Sequence, residues 1–101
     1  MTEKKSEMKQ EEILRKEIGF RIMALRTNKR YSRKCFSQMV GISSVFLYEI
    51  ELAKKRFSSL ILLRMAQNLD VSTDYILTGK NSKELDDELV AALEKRTSNI
   101  V

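Results

Sequence analysis

The chain has 101 residues, with 19 Lys and Arg against 14 Asp and Glu, no His, no Pro, no Trp, one Cys and three Gly, and 43% of it is hydrophobic. This length accommodates one compact domain with at most an arm or tail beside it, and the scarcity of Gly and absence of Pro exclude the turn-rich all-β folds and favour an all-α protein. With no His and one Cys there is no zinc or haem constellation and no internal disulfide, so neither metal nor cofactor is expected; the scattered carboxylates supply no acid–base pair, which argues against an enzyme.

Residues 1–12 carry three bases and four acids and no apolar run. They are expected to be a charged N-terminal arm or an extension of the first helix, and no stretch reads as a leader or a membrane span, as in a soluble cytoplasmic protein. Residues 13–80 hold thirteen bases and five acids, a net +8. Ile13, Leu14, Ile18, Ile22 and Leu25 recur at helical spacing, which predicts an amphipathic helix from about Glu11 to Asn28 with Arg15, Lys16 and Arg21 on its other face. After the basic connector Lys29-Arg30-Tyr31, Ser32 is an N-cap for a short helix bearing Phe36, Met39 and Val40.

Gly41 fits the left-handed position that closes this helix, and Ser43 caps the next, whose inward face is Leu47 and Ile50. Lys54-Lys55-Arg56 is a basic loop. Ser58 or Ser59 then starts an apolar helix through Leu62, Leu63, Met65, Ala66 and Leu69, and Ser72 caps a short segment ending at Thr78-Gly79. Residues 81–101, with three bases and five acids, read as a final helix with Leu85, Leu89 and Leu93 on one stripe.

The helix, glycine turn and helix at Ser32–Glu51 is an arrangement in which a second helix can enter the DNA major groove while the first crosses the backbone. With "RIMALR" (21–26), "VGIS" (40–43), "FLYEIE" (46–51), "KKR" (54–56) and "VSTDYILTG" (71–79) in step, residues 18–79 resemble the Cro/C1-type helix-turn-helix (XRE) family of phage and bacterial regulators. The resemblance implies a lambda-repressor-like domain of five helices over residues 13–80, followed by an additional C-terminal helix. It implies a core of Leu25, Phe36, Val40, Ile42, Leu47, Ile50, Leu62, Met65, Ala66 and Leu69, with the small Ser37 letting the two motif helices approach. It also implies a salt bridge between Arg26 and Glu51.

By the same comparison the third helix reads bases with Ser44, Val45, Tyr48 and Glu49, while Phe46 lies toward the DNA backbone. Base readout most often uses Arg, Lys, Asn or Gln, and none occurs between Ser43 and Leu52. Val45 and Tyr48 suit thymine methyls, Ser44 either base type and Glu49 a cytosine amino group; the alternative is partial packing and a solvated charge. Phosphate contacts fall to Arg33 and Lys34 at the start of the second helix, with Arg30 just before it, and to Lys54, Lys55 and Arg56 after the third. Arg30 and Ala53 stand where the family usually has Gly, so a left-handed backbone there would be strained. Cys35 reads as an inert, partly exposed thiol.

The expected partner is double-stranded DNA, bound by a homodimer held partly by Tyr75, Ile76, Leu85, Leu89 and Leu93. No membrane contact or small-molecule ligand is evident. The expected activity is transcriptional regulation, as a repressor on a pseudo-palindromic operator. The competing reading is a protein-interaction module on the same fold, an antirepressor or antitoxin, using the Val45/Phe46/Tyr48 cluster as an apolar patch.

Overall fold

A computed structural model describes residues 2–80 and 91–95, with side chains from residue 9 onward. Five helices follow in order: α1 (Thr2–Asn28), α2 (Arg33–Val40), α3 (Ser44–Glu51), α4 (Ser59–Leu69) and α5 (Thr73–Thr78). Residues 91–95 are also helical, and no strand occurs among the described residues. No helix of the described residues is long and apolar enough to cross a membrane.

α1 starts nine residues before the expected Glu11. The segment Thr2–Gln10 contains Lys, Glu, Met and Gln, which tolerate helix well, and no breaker. Because it has no apolar stripe, periodicity could not reveal it. Its continuation also exposes part of the predicted inward face: Ile13 and Leu14 are more than half exposed, and the buried contacts begin with Ile18, Gly19 and Ile22.

The four later helices begin alike. Ser32, Ser43, Ser58 and Ser72 have extended backbones, and their hydroxyls accept from the amides of Cys35, Phe46, Ile61 and Tyr75 at 3.0, 3.0, 3.2 and 3.0 Å. Each cap is worth about 1 kcal/mol. α2 ends at Gly41 with φ 82°, a backbone that a Cβ would strain, and this turn delivers the chain into α3. α4 stops on a non-glycine residue in the same left-handed region, Asp70 at φ 56°; Ala53, one residue beyond the α3 cap Leu52, and Arg30, after α1, both have φ 61°.

Ile22, Phe36, Val40, Leu47, Ile50, Met65, Ala66, Leu69 and Ile76 form the core, each at most 3% exposed. Ile18, Leu25, Ile42, Phe46, Phe57 and Leu62 pack around them. Burial of each large side chain stabilises the fold by about 1.5–3 kcal/mol. Ser37 is buried between α2 and its neighbours, with its hydroxyl donating to Lys34 O at 3.0 Å.

α1 meets α3 through backbone. A Cβ on Gly19 would stand 2.5 Å from Glu51 O and 2.8 Å from Ile50 O, so only glycine permits this approach. Beside it, the buried Arg26 donates from Nε to Glu51 Oε2 at 2.6 Å and from Nη2 to Oε1 at 3.1 Å; its Nη1 donates to Tyr31 O at 2.8 Å. A two-pronged guanidinium–carboxylate pair is directional as well as strong, and it fixes α3 against α1. Arg21 leaves the solvated face expected for it and donates to Ile76 O at 2.7 Å, placing a cation at the end of α5.

Lys29 Nζ and Asp70 Oδ2, 2.7 Å apart, link the ends of α1 and α4 at the surface. The hydrogen bond, and then the charge, of Lys29 hold the Asp70 carboxyl below its ordinary pKa, and Asp70 in turn raises that of Lys29. A lowered carboxyl contributes stability above its unfolded-state pKa and loses it as pH falls through the folded one. A raised ammonium contributes below its unfolded-state pKa and loses it as pH rises through the folded one.

Three outcomes are expected. Gly19→Ala should cost about 1–3 kcal/mol by overpacking, read from urea unfolding. Glu51→Gln should cost about 3–5 kcal/mol by stranding Arg26, whereas Arg26→Met with Glu51→Leu should recover most of that loss. Asp70→Asn retains a residue that tolerates the left-handed turn; its melting temperature should differ slightly from wild type at neutral pH and converge with it as pH falls through the depressed Asp70 pKa.

Candidate nucleic-acid interface

The Ser43 cap and the burial of Leu47, Ile50 and Glu51 fix which face of α3 points outward. Ser44, Val45 and Tyr48 are exposed, Val45 at 66% and Tyr48 at 44%, and Glu49 is half-buried. Phe46, expected toward the DNA backbone, is partly buried and packs against the core. The position follows from helix geometry: Phe46 and Ile50 are four residues apart and share a face.

Arg33, expected at a phosphate, donates from Nε to Glu51 Oε1 at 3.1 Å, and its guanidinium carbon lies 4.7 Å from the centre of the Tyr48 ring. Glu51, whose side chain is 1% exposed, therefore holds Arg26 from one helix and Arg33 from another. Arg33 presses on Tyr48 by a cation–π contact, typically about 0.5–1 kcal/mol at an exposed site. Its terminal nitrogens have no protein partner among the described residues, so an oxygen of a phosphate can still be reached from a fixed guanidinium. The sequence does place Arg33 and Tyr48 on successive helices, but no spacing rule signals a contact across a turn.

The remaining cations are exposed. Lys34 lies in the first turn of α2, and Arg30 precedes it on the left-handed connector. Lys54, Lys55 and Arg56 follow α3, the loop being turned by Ala53 and by the bond from Lys54 N to Glu49 O at 2.8 Å. Arg33, Lys34, Ser44, Val45 and Tyr48 line one shallow depression, which joins the start of α2 to the outward face of α3. The described surface thus has an uncharged centre, with Glu49 at its side and cations before and after it.

Of the residues expected in a dimer contact, Tyr75, Ile76 and Leu93 are among the described residues. Ile76 is fully buried and belongs to the core, so it cannot serve an interface. Tyr75 is half-buried, Leu93 is 53% exposed, and Leu85 and Leu89 lie outside the described residues. Three successive apolar residues, Tyr75 to Leu77, leave the inward one ambiguous in a six-residue helix; contact with α1 and α4 selects Ile76. Leu60, Leu63 and Leu77 are the exposed apolar residues of α4 and α5. Cys35 is exposed.

No family model matches the sequence, and no curated protein matches it. Among solved structures, the chain is similar to the restriction-modification controller protein C.AhdI from Aeromonas hydrophila, with a TM-score of 0.58 and 23% identity over 60% of this chain and 92% of that one. It is also similar to the clp gene regulator ClgR from Corynebacterium glutamicum, with a TM-score of 0.61 and 20% identity over 86% of this chain and 88% of that one. At these identities the likeness is one of architecture: the chain shares the all-helical fold of these two proteins.

Proposed function

We propose that the protein is a sequence-specific DNA-binding transcriptional regulator, acting as a repressor that places α3 in the major groove. The observation that carries this reading is the disposition of charge about α3. Arg30 and Lys34 on one side and Lys54, Lys55 and Arg56 on the other are exposed, while the helix between them has no cation. Cations so placed can meet phosphates on both walls of a groove, and a helix without cations can enter between them. The fold shared with the two regulators supports the same reading.

In this reading Val45 and Tyr48 meet thymine methyls, Ser44 bonds a base edge or a phosphate, and Glu49 accepts from a cytosine amino group. Arg33 holds Tyr48 in place and contacts a phosphate with the nitrogens that Glu51 leaves free. The operator is pseudo-palindromic and the protein binds it as a homodimer, with half-sites about one helical turn apart. The exposed Leu60, Leu63 and Leu77 support an apolar contact between copies, with Tyr75 at its border.

Selection from a random DNA pool should yield a symmetric sequence, and Tyr48→Ala should relax its preference at one position per half-site by about 1–3 kcal/mol. With roughly eight phosphates neutralised per dimer, log affinity should fall with log salt at a slope near −7, and Lys55→Ala should flatten it by roughly 2. A slope near zero, or retention of DNA by a Lys34→Ala/Lys55→Ala variant at wild-type strength, would overturn the reading in favour of a protein-binding patch. Sedimentation that shows only monomer at high micromolar concentration would remove the homodimer.

A further inference from the structure

Between α1 and the loop that follows α3 lies a cavity of about 220 Å³, lined by Arg15, Ile18, Ile50, Ala53, Lys55, Arg56 and Phe57. Ile18, Ile50, Ala53 and Phe57 give it apolar walls. Arg15, Lys55 and Arg56, all exposed, complete the lining. No acidic residue lines it, and none of the three cations has an ion-pair partner among the described residues. Near the end of α3, Tyr48 O, Glu49 O and Ile50 O already accept from the amides of Leu52, Lys54 and Ala53.

We infer that this cavity is a binding site for a small amphipathic carboxylate, with one ring or a short chain against Ile18, Ile50 and Phe57 and the carboxylate among Arg15, Lys55 and Arg56. The volume is below the range usual for drug-sized ligands, which restricts the occupant to a single ring or a few methylenes. An apolar body alone would leave the cations unused, and an anion without one would leave the walls dry and empty. The chemistry therefore selects for both parts together. The site is assembled from residues 15–18 and 50–57, which the fold alone brings together; it forms no separate ligand-sensing segment that a sequence would display.

Two of the three cations belong to the loop assigned to phosphates. On the DNA-binding reading, on which only this consequence rests, a bound carboxylate draws Lys55 and Arg56 away from the groove wall. Occupancy then weakens DNA binding, and DNA weakens the carboxylate by the same factor.

The test begins without DNA. Benzoate, benzylamine and acetate are titrated separately into the full chain and followed by methyl and aromatic NMR shifts. Benzoate should shift Ile18, Ile50 and Phe57 saturably, while benzylamine lacks the charge and acetate the body, so each should bind at least 10-fold more weakly. Arg15→Glu, a residue outside the proposed DNA contacts, should weaken benzoate roughly 5-fold, as expected for an exposed pair. Ile18→Phe, checked for an unchanged melting transition, should fill the cavity and abolish the shifts. Equal binding of all three probes, shifts confined to other residues, or no saturable shift would overturn the site. Saturating benzoate should then raise the dissociation constant for selected DNA by about 5-fold or more. Benzoate binding in a chain that retains no DNA would sink the DNA reading and leave the site standing; benzoate binding that leaves DNA affinity unchanged would remove the coupling.

Discussion

A single buried carboxylate organises the upper half of this fold. Glu51 ends α3, loses nearly all contact with water, and is neutralised by two guanidiniums arriving from α1 and α2. Removing a carboxylate from water costs several kcal/mol, and only well-aligned donors offset it. The arrangement is therefore restrictive: α3 can end only where Arg26 and Arg33 both reach it. Gly19 adds the steric half of the constraint, because α1 lies against the last carbonyls of the same helix. Charge sets the position and backbone contact sets the distance.

From that junction the outward face of α3 follows. Burial of Leu47, Ile50 and Glu51 leaves Ser44, Val45 and Tyr48 exposed, and Arg33 carries the constraint on from Glu51 to the Tyr48 ring. The lack of cations on α3 is then less a deficiency than a division of labour, in which flanking segments supply attraction and the helix supplies shape.

Much of this was legible in the sequence because it rests on local chemistry. Serines before apolar stripes gave the caps at Ser32, Ser43 and Ser72, and Gly41 marked the turn. Period and spacing picked out Phe36 and Val40 of α2, Leu47 and Ile50 of α3, and Met65, Ala66 and Leu69 of α4, but they also took in Met39 and Leu63, which are exposed. Less was legible where tertiary contact decides between equivalent local choices. Nothing in Thr2–Gln10 distinguishes a helix from a solvated arm by pattern, and nothing in Tyr75-Ile76-Leu77 says which side chain faces inward. Arg21 and Arg33 read as ordinary surface cations until α5 and Glu51 are placed beside them. The sites hardest to read were thus those in which one residue's partner comes from a different helix.

The left-handed connectors at Arg30 and Ala53 differ in what they return for the same backbone conformation. A non-glycine residue there costs roughly 1–2 kcal/mol. At Arg30 the side chain retained is a cation beside the start of α2, so on a polyanion the connector exchanges folding stability for electrostatic attraction. Glycine would reverse the exchange. At Ala53 the side chain is one methyl group, and it forms part of the wall between the chain and the cavity under α1. Sequence change at these two positions would consequently move different properties: hold on an extended anion at the first, and the shape of an internal space at the second.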